Sequence, residues 1–263
     1  MLNSRLRPDH IWSATCGASF ILWIALPQFR PVLSLLLLIH LGILVIGVAD
    51  LKAGFFCSAY HHCPDEKHRC ALTFDDGPDP QLTPAVLDLL EEFNFSATFF
   101  CIGRAVREHP VLAGEIVSRG HEVACHDLHH ALSSNFRRHK RMVRDISSAN
   151  TIIAEATGNY PRLYRPPVGL SNPHLRSALT QLDMSCIGWN RSIGDAGNRL
   201  AGKFPRMPDL AQPGSIILLH DCLPDPAYRD LFLQHLRMLF SAMKKRKLTG
   251  VAVSTLLKIP PYR

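Results

Sequence analysis

The sequence predicts an α/β domain with a parallel β-sheet, preceded by a helical membrane hairpin. Residues 11–26 and 31–49 are apolar segments that contain no Asp, Glu, Lys or Arg. From residue 70 onward, seven short apolar runs alternate with segments of helical spacing, which is typical of βαβ units. The apolar fraction of 47% excludes a disordered protein.

The two N-terminal segments are predicted to form helices in a membrane. Residues 31–49 approach the ~20 residues that a bilayer span needs, whereas residues 11–26 reach only part of the way. A cleaved signal peptide is one alternative, but no small-x-small site stands cleanly after the first segment. A buried helical hairpin is the other, and the absence of a polar face favours the membrane over it.

Charges that flank the hairpin predict its orientation. Basic residues flank the pair of segments on both sides, namely Arg5 and Arg7 before them and Lys52, Lys67 and Arg69 after them. The positive-inside rule therefore places both ends of the hairpin in the cytoplasm. We expect residues 1–56 to anchor the chain in the inner membrane. Residues 57–263 then form a separate domain on the cytoplasmic side.

Cysteine content and net charge give weaker indications. The formal charge of +7 suits an anionic surface, a glycan or a lipid head group as well as nucleic acid. Several of the eight cysteines lie inside apolar runs, so we expect mostly reduced thiols, which mildly favours a cytosolic location. One cysteine and histidine cluster is a further candidate zinc site, although its spacing matches no standard zinc pattern: Cys57, Cys63, Cys70, His61 and His62.

The elements of the domain follow in a regular order. The predicted strands are "CALTF", "ATFFCIG", "HEVAC", "LYRPP", "MSCIGW", "SIILLH" and "GVAVST". The helix "TPAVLDLLEEF" opens with a Thr83 cap and Pro84 at its first position. Three more segments have helical spacing and end in glycine or basic residues: "RAVREHPVLAGEIVSRG", "KRMVRDISSANTIIAEATG" and "YRDLFLQHLRMLFSAMKKRK".

Polar side chains collect where the predicted strands end. In parallel α/β folds, ligands bind at the carboxyl ends of the strands. Five strand ends carry candidate site residues: Asp75 and Asp76, His126, Arg165, Trp189 with Asp195, and His220 with Asp221. A single carboxylate pair is an ordinary turn, but five such ends together indicate a site.

The segment "CHDLHH" has the spacing of a metal site. His126 and His130 are one helical turn apart and can face the same point, whereas His129 points off that face. With a carboxylate from the first strand, three protein ligands leave open positions for water and substrate, as in a catalytic divalent-metal site. A solvated loop rich in histidine is the alternative.

Four motifs resemble one known family. "TFDDGPDP", "GHEVACHDLHH", "YRPPVG" and "ILLHD" occur in the order and roughly the spacing found in the NodB-homology polysaccharide deacetylases, the fourth carbohydrate esterase family. The resemblance covers residues 70 to about 256. It implies a distorted (β/α) barrel of about seven parallel strands and metal-dependent hydrolysis of an N- or O-acetyl group.

The resemblance also implies a role for each matching residue. Asp76, His126 and His130 would bind a divalent metal, with zinc expected, although such ligands also suit iron, cobalt or nickel. Asp75 would be the general base and His220 the general acid, whose imidazole titrates near neutrality. Arg165 would orient Asp75, and Asp195 would hold His220. Because adjacent residues at a strand end diverge, one carboxylate can bind the cation while the other accepts a proton from water.

This chain departs from the family pattern at several positions. Asp127 stands where the second motif has Ser or Thr, and Val168 where the third has an aromatic residue. The fourth motif keeps Asp195 but has Ser192 and Ala196 in place of an aspartate and a tryptophan. The lost aromatic residues point to an acceptor other than the polymers bound by secreted family members.

We therefore expect a metal-dependent hydrolase that removes an N-acetyl or formyl group from an amino sugar in a membrane-associated glycan or on polyprenyl phosphate. The chain is similar in outline to the lipid-linked aminosugar deacetylases and deformylases of lipid A modification. The basic residues 137–144 would meet anionic head groups, or else form a solvated helix face.

Two alternatives stay open: a deacetylase of chitin, peptidoglycan or exopolysaccharide, and a non-catalytic glycan-binding protein. A nucleic-acid partner is not expected, because no recognition motif accompanies the positive charge.

Overall fold

The N-terminal segments form the predicted hairpin. The computed structural model describes residues 8–194, 203–223 and 225–263. Helix α1 (Pro8–Ala25) and helix α2 (Arg30–Ala49) are joined by a 3₁₀ turn at Pro27–Phe29. The indole of Trp12 donates a hydrogen bond to the carbonyl of His40 at 3.0 Å, which ties the two helices together.

The outer surface of the hairpin is apolar. Leu35 and Leu38 are 60% and 63% exposed, respectively. Within the described residues, one helix is long and apolar enough to cross a membrane, and it is Pro27–Ala49. A 20-residue helix is about 30 Å long, which matches the hydrocarbon core of a bilayer. Length and composition therefore agree with the predicted anchor.

The domain that follows is built on a parallel sheet. Its strands are β1 (Arg69–Asp75), β2 (Ala97–Cys101), β3 (Glu122–Cys125), β4 (Leu163–Tyr164), β5 (Ser185–Cys186), β6 (Arg191–Ser192), β7 (Ile216–His220) and β8 (Thr249–Val251). The order is β5-β4-β3-β2-β1-β7-β6, and every pair is parallel. Strand β8 pairs with the first half of β1, before the register with β2 begins.

A segment after the hairpin contacts the sheet next to the edge strand β5 and next to β7. Tyr60 pairs with Ile187 beyond β5, and His62 pairs with Ser215 just before β7. The amide of Cys63 also donates to the carbonyl of Gly214 at 2.7 Å. With these short pairings the parallel sheet has the half-barrel form of a distorted (β/α) barrel, the fold class that the sequence predicts.

Helices cover the sheet. They are α3 (Thr83–Glu92), α4 (Gly103–Glu108), α5 (Pro110–Ser118), α6 (His139–Thr157), α7 (Leu175–Gln181), α8 (Arg229–Lys245) and α9 (Val253–Leu257). Strand β1 is central, and its apolar side chains are fully buried. Phe74 stacks on Phe99 of β2 with ring centroids 5.1 Å apart. Phe240 of α8 packs edge-on against Phe95 at 5.3 Å, which fixes α8 on the same core.

The structure differs from the predicted elements in three places. The helix predicted over residues 104–120 is two helices, because Pro110 disfavours a helical conformation at His109. The last strand stops at Val251, and α9 begins where "GVAVST" predicts more strand. Here the amide of Val253 donates to the hydroxyl of Thr98 at 2.8 Å, so a tertiary contact overrides the β-propensity of the segment. Strand β6 and helix α7 are additional elements.

The end of the hairpin contacts the carboxyl edge of the sheet. In the loop after β4, the amide of Ser171 donates to the carbonyl of Val48 at 3.0 Å. The hydroxyl of Ser171 donates to the carbonyl of Gly47 at 2.8 Å. Since Ser171 is buried, these hydrogen bonds join the last turn of α2 directly to the loops above the strands.

Candidate active site

The predicted site residues converge at the carboxyl edge of the sheet. Asp75 ends β1 and is the register partner of His220, which ends β7. His126 directly follows β3, and Arg165 directly follows β4. All four side chains are buried. Parallel pairing therefore brings together side chains that are far apart in the sequence.

Three of these side chains have the arrangement of a metal site. The ligand atoms of Asp76, His126 and His130 all lie within 4.8 Å of one another. Asp76 Oδ1 is 3.5 Å from His126 Nε2 and 3.3 Å from His130 Nε2. Nδ1 of His126 lies 2.9 Å from the carbonyl of Arg165, so it carries the proton and leaves the Nε2 lone pair directed at the shared point.

The residues present fit a divalent cation. Asp76 Oδ1 is buried and receives no hydrogen bond from the described residues, which suits an oxygen that binds a cation. Burial lowers the pKa of His126 to about 3, so its imidazole is neutral and available as a ligand at physiological pH. Asp76 and His130 have left-handed backbones, with φ of 75° and 50°. Such conformations are uncommon outside glycine and cluster at functional sites.

Arg165 holds the carboxylate of Asp75. Its Nη1 donates to Asp75 Oδ1 at 2.6 Å and to the Thr73 hydroxyl at 2.8 Å. Its remaining donors reach the carbonyls of Ile187 and Gly188 at 3.3 and 3.0 Å. Arg165 is fully buried, so its side chain is fixed by these hydrogen bonds and in turn fixes the direction of the Asp75 carboxylate.

His220 approaches a different carboxylate oxygen of Asp76 from the other two histidines. Its Nε2 is 4.0 Å from Asp76 Oδ2, whereas His126 and His130 approach Oδ1. Asp75 Oδ2 in turn lies 3.6 Å from His126 Nε2. A second carboxylate at the end of β1 and a third imidazole at the end of β7 thus lie close to the three candidate ligands.

Asp127 belongs to a buried ion-pair network that the sequence reasoning missed. Its carboxylate accepts from Arg137 Nη1 at 2.6 Å and from the hydroxyl of Ser134 at 2.9 Å. Arg137 Nε also lies 3.2 Å from Asp145 Oδ2. The departure from Ser or Thr at position 127 is therefore matched by an arginine ten residues later, and the pair closes the loop that carries His130. Spacing alone gives no signal for this partnership.

Asp221, which follows His220, is a further buried carboxylate near the candidate ligands. It accepts a hydrogen bond from the Thr83 hydroxyl at 2.6 Å, and burial raises its pKa to about 7. Gly77 lies so close that a Cβ at that position would collide with the Asp221 carboxylate. Close approach of the backbone therefore explains the glycine that follows the two aspartates.

The other predicted features have mixed outcomes. Asp195 and Ala196 lie outside the described residues.

The Arg165 guanidinium lies 5.6 Å from the ring centre of Trp189, and Val168 is 52% exposed in the loop after β4. The candidate cysteine and histidine cluster does not come together: in residues 8–194, 203–223 and 225–263, the set around Asp76 is the one group with metal-site geometry. All eight cysteines are free thiols.

Comparison with known proteins identifies the family. The family profile described as "Polysaccharide deacetylase" matches residues 62–187. The peptidoglycan-N-acetylglucosamine deacetylase of Bacillus cereus is 32% identical over 198 residues, which cover 74% of this chain and 91% of that protein. The chain belongs to the polysaccharide deacetylase family.

Further relatives agree with that assignment. A chitooligosaccharide deacetylase of Azorhizobium caulinodans is 34% identical over 159 residues, covering 59% of this chain and 75% of the relative. The crystal structure of the peptidoglycan deacetylase PdaC from Bacillus subtilis superposes with a TM-score of 0.65 at 29% identity, covering 74% of this chain and 92% of that one.

Membership in this family confirms two predictions. The fold is the NodB-homology barrel, and the chain is an amidohydrolase of the polysaccharide deacetylase type, which acts on carbon–nitrogen bonds other than peptide bonds. The matched region begins at residue 62, after the hairpin.

Proposed function

We propose that this protein is a metal-dependent deacetylase that hydrolyses the N-acetyl group of amino sugars in a glycan. One observation carries the proposal: a two-histidine, one-carboxylate set has a second carboxylate beside it, held by a buried arginine, and a third histidine whose Nε2 is 4.0 Å from Asp76 Oδ2. Amide hydrolysis needs a base for the water, an acid for the departing amine and positive charge at the carbonyl oxygen. The edge of this sheet has a candidate for each.

Asp76, His126 and His130 are the proposed ligands, and zinc is the proposed metal because its catalytic sites use three protein ligands of this kind. When bound, a divalent cation supplies the charge that acidifies a water molecule and polarises the acetyl carbonyl. Asp75 takes the proton from the water. Arg165 fixes the direction of the Asp75 carboxylate, since the two groups are 2.6 Å apart in a buried site.

His220 is the proposed acid for the amine. Its Nε2 lies 4.0 Å from Asp76 Oδ2, and in this proposal proton removal and proton delivery occur on separate groups. In this proposal Asp195 holds His220, as the family resemblance implies. An imidazole suits the acid role because its ordinary pKa is near neutrality.

An amino-sugar polymer is the first candidate substrate. The relatives described above are named for peptidoglycan and chitooligosaccharides, which both contain N-acetylated amino sugars. These names favour the polymer over the lipid-linked sugar that the sequence suggests. A polymer outside the cytosol would also place the domain on the outer side of the membrane, against the orientation predicted from flanking charges.

A lipid-linked amino sugar is the second candidate, and a cavity favours it. A cavity of about 200 Å³ lies between the end of α2 and the catalytic edge, and its lining includes Lys52, His61, Val168 and Trp189. Pockets for larger organic ligands usually occupy roughly 300–1,000 Å³, so this one suits a single sugar ring. In this reading residues 1–56 anchor the chain in the inner membrane, and residues 57–263 act on a substrate held at its surface.

The test is acetate release by the full-length, detergent-purified protein loaded with zinc. Three substrates are compared: chitooligosaccharide, peptidoglycan and polyprenyl-phosphate N-acetylhexosamine. The Asp75→Asn protein is the inactive control, and Asp88→Asn, at an exposed carboxylate, is the matched control. We expect release from at least one substrate by the parent and by Asp88→Asn, and none by Asp75→Asn.

Undiminished release by Asp75→Asn would refute the assigned base. Binding of all three substrates without any release would instead favour the non-catalytic, glycan-binding alternative.

A further inference from the structure

The catalytic edge of the barrel and the end of the hairpin are joined. Gly47 and Val48 belong to the last turn of α2, and their carbonyls accept hydrogen bonds from Ser171. Ser171 lies in the same loop as Arg165, which contacts Asp75. If α2 spans the bilayer, its last turn lies at the lipid–water boundary, and the loop bonded to that turn lies there too.

A second loop continues this edge. Asn172 donates to the carbonyl of Asn135 at 2.7 Å, which ties the loop after β4 to the 3₁₀ turn Leu132–Phe136. That turn begins two residues after His130, a proposed metal ligand. The contacts therefore run without a gap from the end of α2 through both loops to the catalytic centre.

Each loop exposes a large apolar side chain. Phe136 is 87% exposed and Val168 is 52% exposed. Val168 also has φ of 50°, which is unusual for a β-branched residue and holds the side chain at the tip of its turn. Phenylalanine and aliphatic side chains in this position enter the interfacial region of a bilayer.

Basic side chains border these apolar ones. Arg137 is buried in its ion pairs, and Arg141 and Arg144 lie near Asp145. Arg138 and Lys140 are exposed and follow Phe136 by two and four residues, at the cap and in the first turn of α6. Exposed cations next to an apolar tip fit a bilayer with anionic head groups, since each nearby Lys or Arg favours such a surface.

We propose that Phe136, Val168, Arg138 and Lys140 form a membrane face that docks the catalytic edge onto an anionic bilayer. The active site then opens at the lipid surface and receives acetylated sugars attached to, or lying against, the membrane. The proposal rests on the deacetylase function and on insertion of the hairpin, but it assigns a surface that neither of these requires. A domain tethered only by the hairpin would leave Phe136 in water.

The test uses a photo-crosslinking probe in the full-length protein. Phe136→p-benzoylphenylalanine is prepared and reconstituted into phosphatidylcholine vesicles with and without phosphatidylglycerol. The matched control carries the same probe at Val111, which is 84% exposed on α5 and belongs to neither loop. After illumination, mass spectrometry measures the fraction of protein that carries a phospholipid adduct.

We expect phospholipid adducts at position 136 but not at position 111, with a higher yield in vesicles that contain phosphatidylglycerol. Replacing Arg138 and Lys140 by glutamine should lower the yield by about fivefold per charge. Adducts no more frequent at position 136 than at position 111 would overturn the proposal. Adducts to a second copy of the chain would overturn it in favour of a protein contact.

Activity separates failure of this proposal from failure of the function. The Phe136→Ser protein should release acetate from soluble chitooligosaccharide at the parental rate. If the parent does not hydrolyse chitooligosaccharide, the same comparison is made with lipid-linked sugar solubilised in detergent. In vesicles its rate on the lipid-linked sugar should fall severalfold. Equal rates for parent and variant in vesicles would contradict the membrane face, whereas a parent that hydrolyses no substrate would contradict the proposed function itself.

Discussion

Replacing Arg165 by methionine should destabilise the protein strongly. Methionine keeps much of the apolar volume but removes the cation that contacts Asp75 at 2.6 Å in a site where both side chains are buried. Removing one partner of a buried ion pair costs about 3–5 kcal/mol, because the other charge stays in a low-dielectric environment. For a chain of this size each kcal/mol lowers the Tm by roughly 2–4 °C, so we expect a fall of roughly 6–20 °C.

The assay is thermal and urea unfolding of the parent, Arg165→Met, Asp75→Asn and the double variant. The double variant should lose less stability than the sum of the single variants, since neutral Asn no longer needs the cation. Arg162→Met is the matched control, because Arg162 pairs at 2.7 Å with a largely exposed Asp183. Surface pairs of this kind contribute about 0–1 kcal/mol. An Arg165→Met effect as small as that of Arg162→Met would refute the reasoning.

Three further predictions concern the metal site, the close backbone approach and pH. His130→Ala should weaken zinc binding by more than the 10- to 100-fold that loss of an outer partner costs, measured by calorimetry. Gly77→Ala should destabilise by about 1–3 kcal/mol in urea unfolding, because its methyl group would collide with Asp221. His121 is buried, and burial lowers its pKa from 6.5 to about 4. As the pH falls, the unfolded chain therefore takes up a proton at His121 at a higher pH than the folded chain does. The free energy of unfolding should decrease by about 3 kcal/mol between pH 6.5 and pH 4. His121→Gln should flatten this part of the Tm profile, and an unchanged slope would contradict the assignment.

The carboxyl edge was predictable because parallel strands impose it. Once the runs ending at Asp75, Cys125 and His220 are read as parallel strands, their following side chains must meet at one edge. The choice of Asp76, His126 and His130 as metal ligands came from the family resemblance, and the two histidines lie in a loop, not on the helical turn that their spacing suggests. Long, uniformly apolar helices such as α2 are equally visible in sequence.

Features that depend on distant partners were not predictable. Asp127 departs from the Ser or Thr of the family motif, and Arg137 belongs to a basic segment of the sequence. Neither feature predicts that the two side chains form a buried pair. The contact of Ser171 with the end of α2 joins residues more than 120 positions apart, and no local pattern marks it. Short strands such as β6 carry too few residues for a periodic signal.

The most direct test of the proposed metal site is acetate release by the metal-free protein before and after zinc is added back, with bound zinc counted in the same samples. We expect a single zinc ion per chain, no release without it, and full recovery on its addition. The Asp76→Ala and His126→Ala proteins should neither retain the ion nor recover activity. Full activity in the metal-free protein, or stoichiometric zinc in either variant, would contradict the assignment of Asp76, His126 and His130 as the ligands of a catalytic metal.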